Sequence, residues 1–232
     1  MISARNVLSE FINEHASRGD DQFLLFLHEE ACRQQIPAVD LNIGRLLFFL
    51  ITILRPADIL EIGFGSGLSY SYMMKASAFY GGNVLSLENN RFRIDAFSEH
   101  AARYKPCYLD SRGKIIHTDA LIHLRSMPDA ACAFIFIDAM KKEYPEYLAE
   151  AARIVSGGGI IAADNLFFSG RTIYLSETPE NMHKYRDQTE AMRNFIRQAC
   201  SLEGFTPLLL TESDGIVLLY KTPCAGSISA AH

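Results

Sequence analysis

The chain has 232 residues, 49% hydrophobic and 21% charged, which is apolar mass enough for one large core and excludes disorder as the default. Its 22 basic and 27 acidic side chains give a net charge of −5, so there is no bulk attraction to nucleic acid or to an anionic membrane. Cys32, Cys107, Cys132, Cys200 and Cys224 are scattered, without Cys-x-x-Cys spacing; neither a zinc site nor a disulfide framework is expected, and a reducing cytoplasm fits. MISARNVLSEF lacks the long apolar run of a signal peptide, and LLFFLITIL at 46–54 is too short to span a bilayer.

Residues 1–35 read as a polar amphipathic helix with Phe11, Phe23, Leu24, Phe26 and Leu27 buried. Ile36-Pro37 breaks it, and 41–54 form a strongly apolar helix ending before Arg55-Pro56. The period then changes. ADILEI (57–62) is a strand, followed by a glycine-rich turn and a helix to Ala78. NVLSLE (83–88) is a strand with a helix to Ala102 after it, and Lys114–His117 a short strand with a helical turn at Leu121–Leu124. ACAFIFID (131–138) is a strand, Tyr144 to Val155 a helix, and GGIIAAD (158–164) a strand. A long loop leads to a helix at 187–201 and two strands, 205–210 and 215–221, joined by Glu212-Ser213-Asp214-Gly215. Such alternation predicts an α/β fold, a parallel sheet covered on both faces with an antiparallel pair at its edge. With no repeat or linker in evidence, 1–222 is expected to be one domain and the small, polar 223–232 a mobile tail.

LEIGFGSGLS (60–69) follows a strand and opens a helix. Gly63, Gly65 and Gly67 permit a sharp turn and close approach to a ligand, and amides at a helix start suit a carboxylate or phosphate. The dinucleotide fingerprint Gly-x-Gly-x-x-Gly is missed, because its third glycine falls on Leu68 or Tyr70. Glu88 ends the next strand, where a carboxylate accepts hydrogen bonds from both hydroxyls of a ribose. Asp119, after the third strand, can accept from an adenine amino group, cap its helix, or do both.

Asp138 ends the fourth strand, and Asp164 and Asn165 end the fifth. Ligands of open α/β sheets bind at these C-terminal ends. Two carboxylates and an amide oxygen there suit a hard divalent ion such as Mg²⁺, Ca²⁺ or Mn²⁺; the alternative is that Asp164-Asn165 only begins a loop. Lys141 and Lys142 follow, as candidates for a general base or as solvated charges at a helix start.

Glu61-x-Gly-x-Gly-x-Gly resembles the first motif of S-adenosylmethionine-dependent methyltransferases. Asp138-Ala139-x-Lys141-x-x-Tyr144-x-x-Tyr147, Gly158-Gly159 and Asp164-Asn165 resemble the cation-dependent O-methyltransferases, which include catechol and caffeoyl-CoA enzymes. IPAVDLNIG, SLE, DALIHL and SDGIVLLYK extend the likeness from Ile36 to Lys221. The resemblance implies a Rossmann-like class I fold with a mostly parallel seven-stranded sheet, S-adenosylmethionine as methyl donor, and a divalent cation held by Asp138, Asp164 and Asn165. It implies Lys141 as general base, the spacing favouring it over Lys142, and a donor site of Val39, Glu61, Gly63, Gly65, Ser69, Glu88, Asp119, Ala120 and Asp138. Ser69 then meets the donor's carboxylate or supports its own helix start, and Tyr144 and Tyr147 pack their helix onto the sheet. The chain departs from its relatives at Met140, where Asp is common, and at LFFSGR (166–171), where Phe167 and Phe168 reshape the acceptor pocket. The expected substrate is a small catechol-like phenol, and a homodimer is implied. The alternatives are a hydroxyuridine in tRNA, a nicotinamide oxidoreductase, and a binding protein without catalysis. Selectivity is expected in 1–40 and 165–187, with their tyrosines and phenylalanines, His183 and Arg171 as contributors there or at a subunit contact.

Overall fold

The computed structural model describes residues 11–12, 14–173 and 182–223, with the backbone alone at 182 and 183. The expectations for residues 1–10, 174–181, the His183 side chain and the tail beyond 223 lie outside the described residues.

The helix expected over 1–35 is interrupted. A 3₁₀ turn at Ser17–Gly19 and extended backbone at Asp20 and Asp21 precede α1 (Gln22–Gln34). Asp21 caps α1, accepting from the Phe23 and Leu24 amides at 3.0 and 3.1 Å, a device worth about 1 kcal/mol. Asp20 turns inward instead: Arg45 pairs with it at 2.5 Å and the Tyr72 hydroxyl donates to it at 2.6 Å. This polar knot ties the N-terminal segment to α2 (Leu41–Leu54) and α3 (Leu68–Ser77). Phe23, Leu24 and Leu27 are buried as expected, but Phe26 is only half-buried and Phe11 is 57% exposed. Phe11 precedes the break and does not share the α1 face.

The remaining elements alternate as the sequence predicts: β1 (Asp58–Ile62), β2 (Asn83–Glu88), α4 (Arg91–Tyr104), β3 (Gly113–His117), α5 (Ala120–Ser126), β4 (Cys132–Ile137), α6 (Tyr144–Ile154), β5 (Val155–Ala163), α7 (Met182–Ser201), β6 (Phe205–Leu210) and β7 (Ile216–Lys221). Helix α7 starts five residues earlier than its periodicity suggests. The sheet has seven strands in the order β3-β2-β1-β4-β5-β7-β6, with β7 antiparallel to both β5 and β6 and the other pairs parallel. Side chains of β4 alternate between two cores. Phe134 and Phe136 join the cluster under α1 to α3, while Ile135 and Ile137 join the one under α6 and α7. The order reverses between β1 and β4, and there the C-terminal strand ends open a crevice. No helix among the described residues is long and apolar enough to cross a membrane.

Candidate functional site

Strand register places the site. Leu87, Ile62, Ile137 and Ala163 are aligned across β2, β1, β4 and β5. The next residue of each strand is Glu88, Gly63, Asp138 or Asp164. The ladder continues through that row: the amides of Gly63, Asp138 and Asp164 donate to Leu87, Ile62 and Ile137 at 3.0, 2.9 and 3.0 Å. Asp119, two residues beyond β3, lengthens the row at the Glu88 end. At about 4.8 Å per strand, Glu88 and Asp164 stand about 14 Å apart, the reach of an extended small molecule. A cleft of about 510 Å³ runs along this edge.

The turn after β1 forms one wall. Gly63 has φ +94°, and a Cβ there would meet the Asp138 carbonyl oxygen at 2.1 Å; Gly65 has φ +55°, and its Cβ would meet the Pro37 carbonyl oxygen at 2.8 Å. Both positions therefore require glycine, one to close β1 onto β4 and the other to admit the segment before α2. That segment brings Pro37, Ala38 and Val39 to the cleft. Glu88 is fixed by main-chain donors: the Gly65 amide reaches Oε2 at 3.0 Å and the Asn90 amide reaches Oε1 at 2.9 Å, with Arg93 3.5 Å away. Oε1 has this one partner and Oε2 has two, and Glu88 lines the cleft. Asp119 caps α5 through Oδ1, accepting from Ile122 at 3.0 Å, and it lines the cleft with Ala120. Both roles foreseen for Asp119 are thus open to it, one per oxygen.

Glu61 is corrected. It does not line the cleft but is 0% exposed beneath the turn, with Ser69 on one carboxyl oxygen and Ser86 on the other. Burial, opposed only in part by those two hydroxyls, pushes its pKa up to about 8. When the carboxyl is protonated, one of the two bonds reverses and a serine oxygen accepts. Glu61 is a positioning residue, and Ser69, which does line the cleft, is oriented by it.

At the β4–β5 end, Asp138 and Asn165 line the cleft, whereas Asp164 lies beneath it, 1% exposed. Burial and the neighbouring charge of Asp138 raise the pKa of Asp164, against a bond from the Asn165 amide to Oδ1 at 2.7 Å. The Lys141 ammonium meets Asp138 Oδ1 at 2.9 Å and the Tyr144 hydroxyl oxygen at 2.7 Å. Tyr144 is wholly buried, and its hydroxyl donates to the Asp164 carbonyl at 3.0 Å. Burial alone would depress the Lys141 pKa, but Asp138 and Tyr144 outweigh it and hold the pKa above the ordinary lysine range. A ready-made neutral base is therefore not what this arrangement presents. Lys142, a solvated charge by expectation, is half-exposed and pairs with Asp187 at 2.9 Å.

Among the described residues no three His, Cys, Asp or Glu side chains cluster as a metal site. The donor set Asp138, Asp164 and Asn165 nonetheless has the chemistry of a hard divalent ion. Asp164 and Asp138 repel each other, Lys141 offsets only part of that charge, and an amide residue stands beside them.

The structure adds residues that sequence reasoning missed. Tyr144, read as packing, bridges Lys141 and the end of β5. Gln188 lines the cleft from α7, as does Tyr185, one of the tyrosines expected to contribute within 165–187. Spacing from Tyr185 through Gln188, Thr189, Met192 and Phe195 carries the helical period that marks them. Of the two phenylalanines in the loop after β5, Phe168 lines the cleft and Phe167 packs against Gly215 and the core. Met140 lines the cleft and is 53% exposed.

The O-methyltransferase family model matches residues 13–222 of the chain. A protein described as probable caffeoyl-CoA O-methyltransferase 3 of Dictyostelium discoideum is 27% identical over 193 residues, covering 78% of this chain and 75% of its own length. The structure of S-adenosylhomocysteine-bound methyltransferase PaMTH1 of Podospora anserina superposes with a TM-score of 0.79 at 21% identity, covering 96% of this chain and 98% of its own. An O-methyltransferase of Bacillus cereus in complex with S-adenosylhomocysteine does so with a TM-score of 0.77 at 22% identity, covering 94% and 97%. At such identities the two structures show the fold alone, and it is the Rossmann-like methyltransferase fold expected.

Proposed function

The chain belongs to the O-methyltransferase family, and from that premise we propose that it moves a methyl group from S-adenosylmethionine to a hydroxyl of a small catechol-like aromatic, with a divalent cation at Asp138, Asp164 and Asn165. The observation that carries this reading is the single strand-end row of Glu88, Gly63, Asp138 and Asp164, the first three lining one cleft and Asp164 just beneath it. It sets a nucleoside-type carboxylate and a pair of acids a small molecule's length apart. S-adenosylhomocysteine in the Podospora and Bacillus structures supports the choice of donor. Membership of this family sets the nicotinamide alternative aside.

In this reading Glu88 accepts from the two ribose hydroxyls, the long Arg93 contact to Oε2 giving way, and Asp119 accepts from the adenine amino group through Oδ2. The Gly63–Gly67 turn and Val39 enclose the donor between them. Bound donor supplies a methyl sulfonium, an activated electrophile. Bound at the acid pair, a divalent ion supplies Lewis acidity that lowers the pKa of the acceptor hydroxyl. The acceptor oxygen bonds to the methyl carbon as the carbon–sulfur bond breaks. Lys141 is placed to take the hydroxyl proton once its ammonium has released one proton to solvent water. Asp138 and Tyr144 keep that Nζ in position, while Met140 and Phe168 narrow the mouth against water. Lys184 and Arg186 are exposed on α7 beside exposed Asp187 and Glu190, and the tRNA alternative is kept as an arm of the test below. A homodimer belongs to the same proposal: exposed Phe49, Ile53 and Phe79 on α2 and after α3 support it, and light scattering at micromolar concentration tests it.

The test is methyl transfer from labelled donor to a panel of catechols, flavonoids, acyl-CoA phenols and hydroxyuridine-bearing tRNA. Transfer to catechols that vanishes on chelation is the expected result. Full activity in excess EDTA rejects the metal role, and transfer to tRNA alone rejects the acceptor class.

A further inference from the structure

The acceptor end of the cleft is bounded by Met140, Lys141, Asn165, Phe168, Tyr185 and Gln188. Phe168 and Tyr185 form a corner, their ring centroids 6.0 Å apart and their planes at 84°. The Arg171 guanidinium packs over both rings, at 5.0 and 4.5 Å, and donates to the Phe168 carbonyl at 3.1 Å. Such a corner offers a flat ring one aromatic face and one aromatic edge.

Helix α7 is held against this corner. Arg193 donates to the Arg171 and Thr172 carbonyls at 3.1 and 3.3 Å, and Asp187 pairs with Lys142 at 2.9 Å. Gln188, one residue further, is thereby kept in the cleft wall with Lys141. Its Oε1 is buried without a hydrogen-bond partner, as are Oγ1 of the adjacent Thr189 and Oγ of Ser66, which also lines the cleft. Buried polar atoms in native proteins are almost always satisfied, so an orphan in a cleft wall points to a group that arrives with a ligand. The terminal torsion of a glutamine amide is broad, and its rotation delivers Oε1 to the cleft.

Resting on the methyl-transfer reading, we propose that Gln188 is a specificity-determining residue. Its amide oxygen accepts a hydrogen bond from an N–H or O–H carried by the acceptor ring on the edge away from the reacting hydroxyl, with the ring seated against Phe168 and Tyr185. The substrate class is thereby a catechol with a hydrogen-bond-donating substituent on that edge.

The experiment compares catechol, 4-(2-aminoethyl)catechol and 3,4-dihydroxybenzoate as acceptors for the wild-type chain, Gln188→Leu and Gln188→Glu, with calorimetry of S-adenosylhomocysteine as control. Wild type is expected to prefer the aminoethyl compound over catechol by about tenfold in kcat/KM, the effect of one hydrogen bond. Gln188→Leu should reduce that ratio to about one, Gln188→Glu should keep or raise it, and S-adenosylhomocysteine affinity should not move in either. An unchanged ratio in Gln188→Leu overturns the proposal, as does a wild-type preference for the benzoate. Normal S-adenosylhomocysteine binding with no transfer to any catechol overturns the acceptor reading itself, and the assignment of Gln188 with it.

Discussion

The two halves of the cleft are built in different ways. The half under β1, β2 and β3 is made of main chain and short side chains: glycines at positive φ, amides on Glu88, and a capping Asp119. The half beyond β4 is made of long side chains from separate segments, Lys141, Tyr144, Phe168, Arg171, Tyr185 and Gln188, tied by charge and ring contacts. A backbone-built half suits a ligand that never changes. The side-chain half can be altered by substitution without disturbing the sheet, which is where a family diversifies its acceptors.

Mutations on either side should separate these halves. Lys141→Ala is expected to lower kcat by about 10²–10⁴-fold with little change in donor binding, and steady-state kinetics beside calorimetry would reveal it; unchanged turnover would reject Lys141 as the base. Glu88→Ala should act in reverse, weakening S-adenosylhomocysteine by about 2–3 kcal/mol while a saturated enzyme keeps most of its kcat. Tyr144→Phe removes one of two partners of the Lys141 ammonium; a fall in kcat of about tenfold with KM unchanged is expected, and a loss confined to melting temperature would make Tyr144 structural only.

Glu61→Gln tests the layer beneath the donor half. The Glu61 carboxyl has a pKa near 8 in the fold against 4.5 when free, so the folded state holds the proton longer than the unfolded one. Its contribution is complete below the unfolded value and is lost as pH rises through the folded value. Wild-type stability should therefore decline between pH 4.5 and 8, and the Glu61→Gln substitution should flatten that slope. Melting curves across this range decide it, and parallel profiles for the two proteins would refute a neutral Glu61.

The same division governs what the sequence could disclose. Periodicity and strand-end residues announced β1 to β5, the hairpin and the row of acids, because a parallel sheet aligns its own ends. Glu61 was placed in the donor site by the resemblance of Glu61-x-Gly-x-Gly-x-Gly to a methyltransferase motif. Strand alternation puts it on the face of Ile59, under Ser69, and away from the ligand. In the acceptor half, local pattern had less to say. Which of Phe167 and Phe168 faces the cleft is fixed by positive φ at Asn165 and Phe168 and by the Phe167 amide bonding to Asp214, 47 residues away in sequence. The charge state of Lys141 depends on burial and on contacts that spacing does not report.

The central claim is that donor binding and the acid pair are separable functions of one strand-end row. Asp164→Ala tests it most directly, with S-adenosylhomocysteine affinity by calorimetry and labelled methyl transfer to a catechol measured on the same preparation, with and without EDTA. The account predicts wild-type affinity, no detectable transfer, and a wild-type enzyme silenced by EDTA. Transfer that persists in Asp164→Ala, or in wild type under excess EDTA, would contradict it.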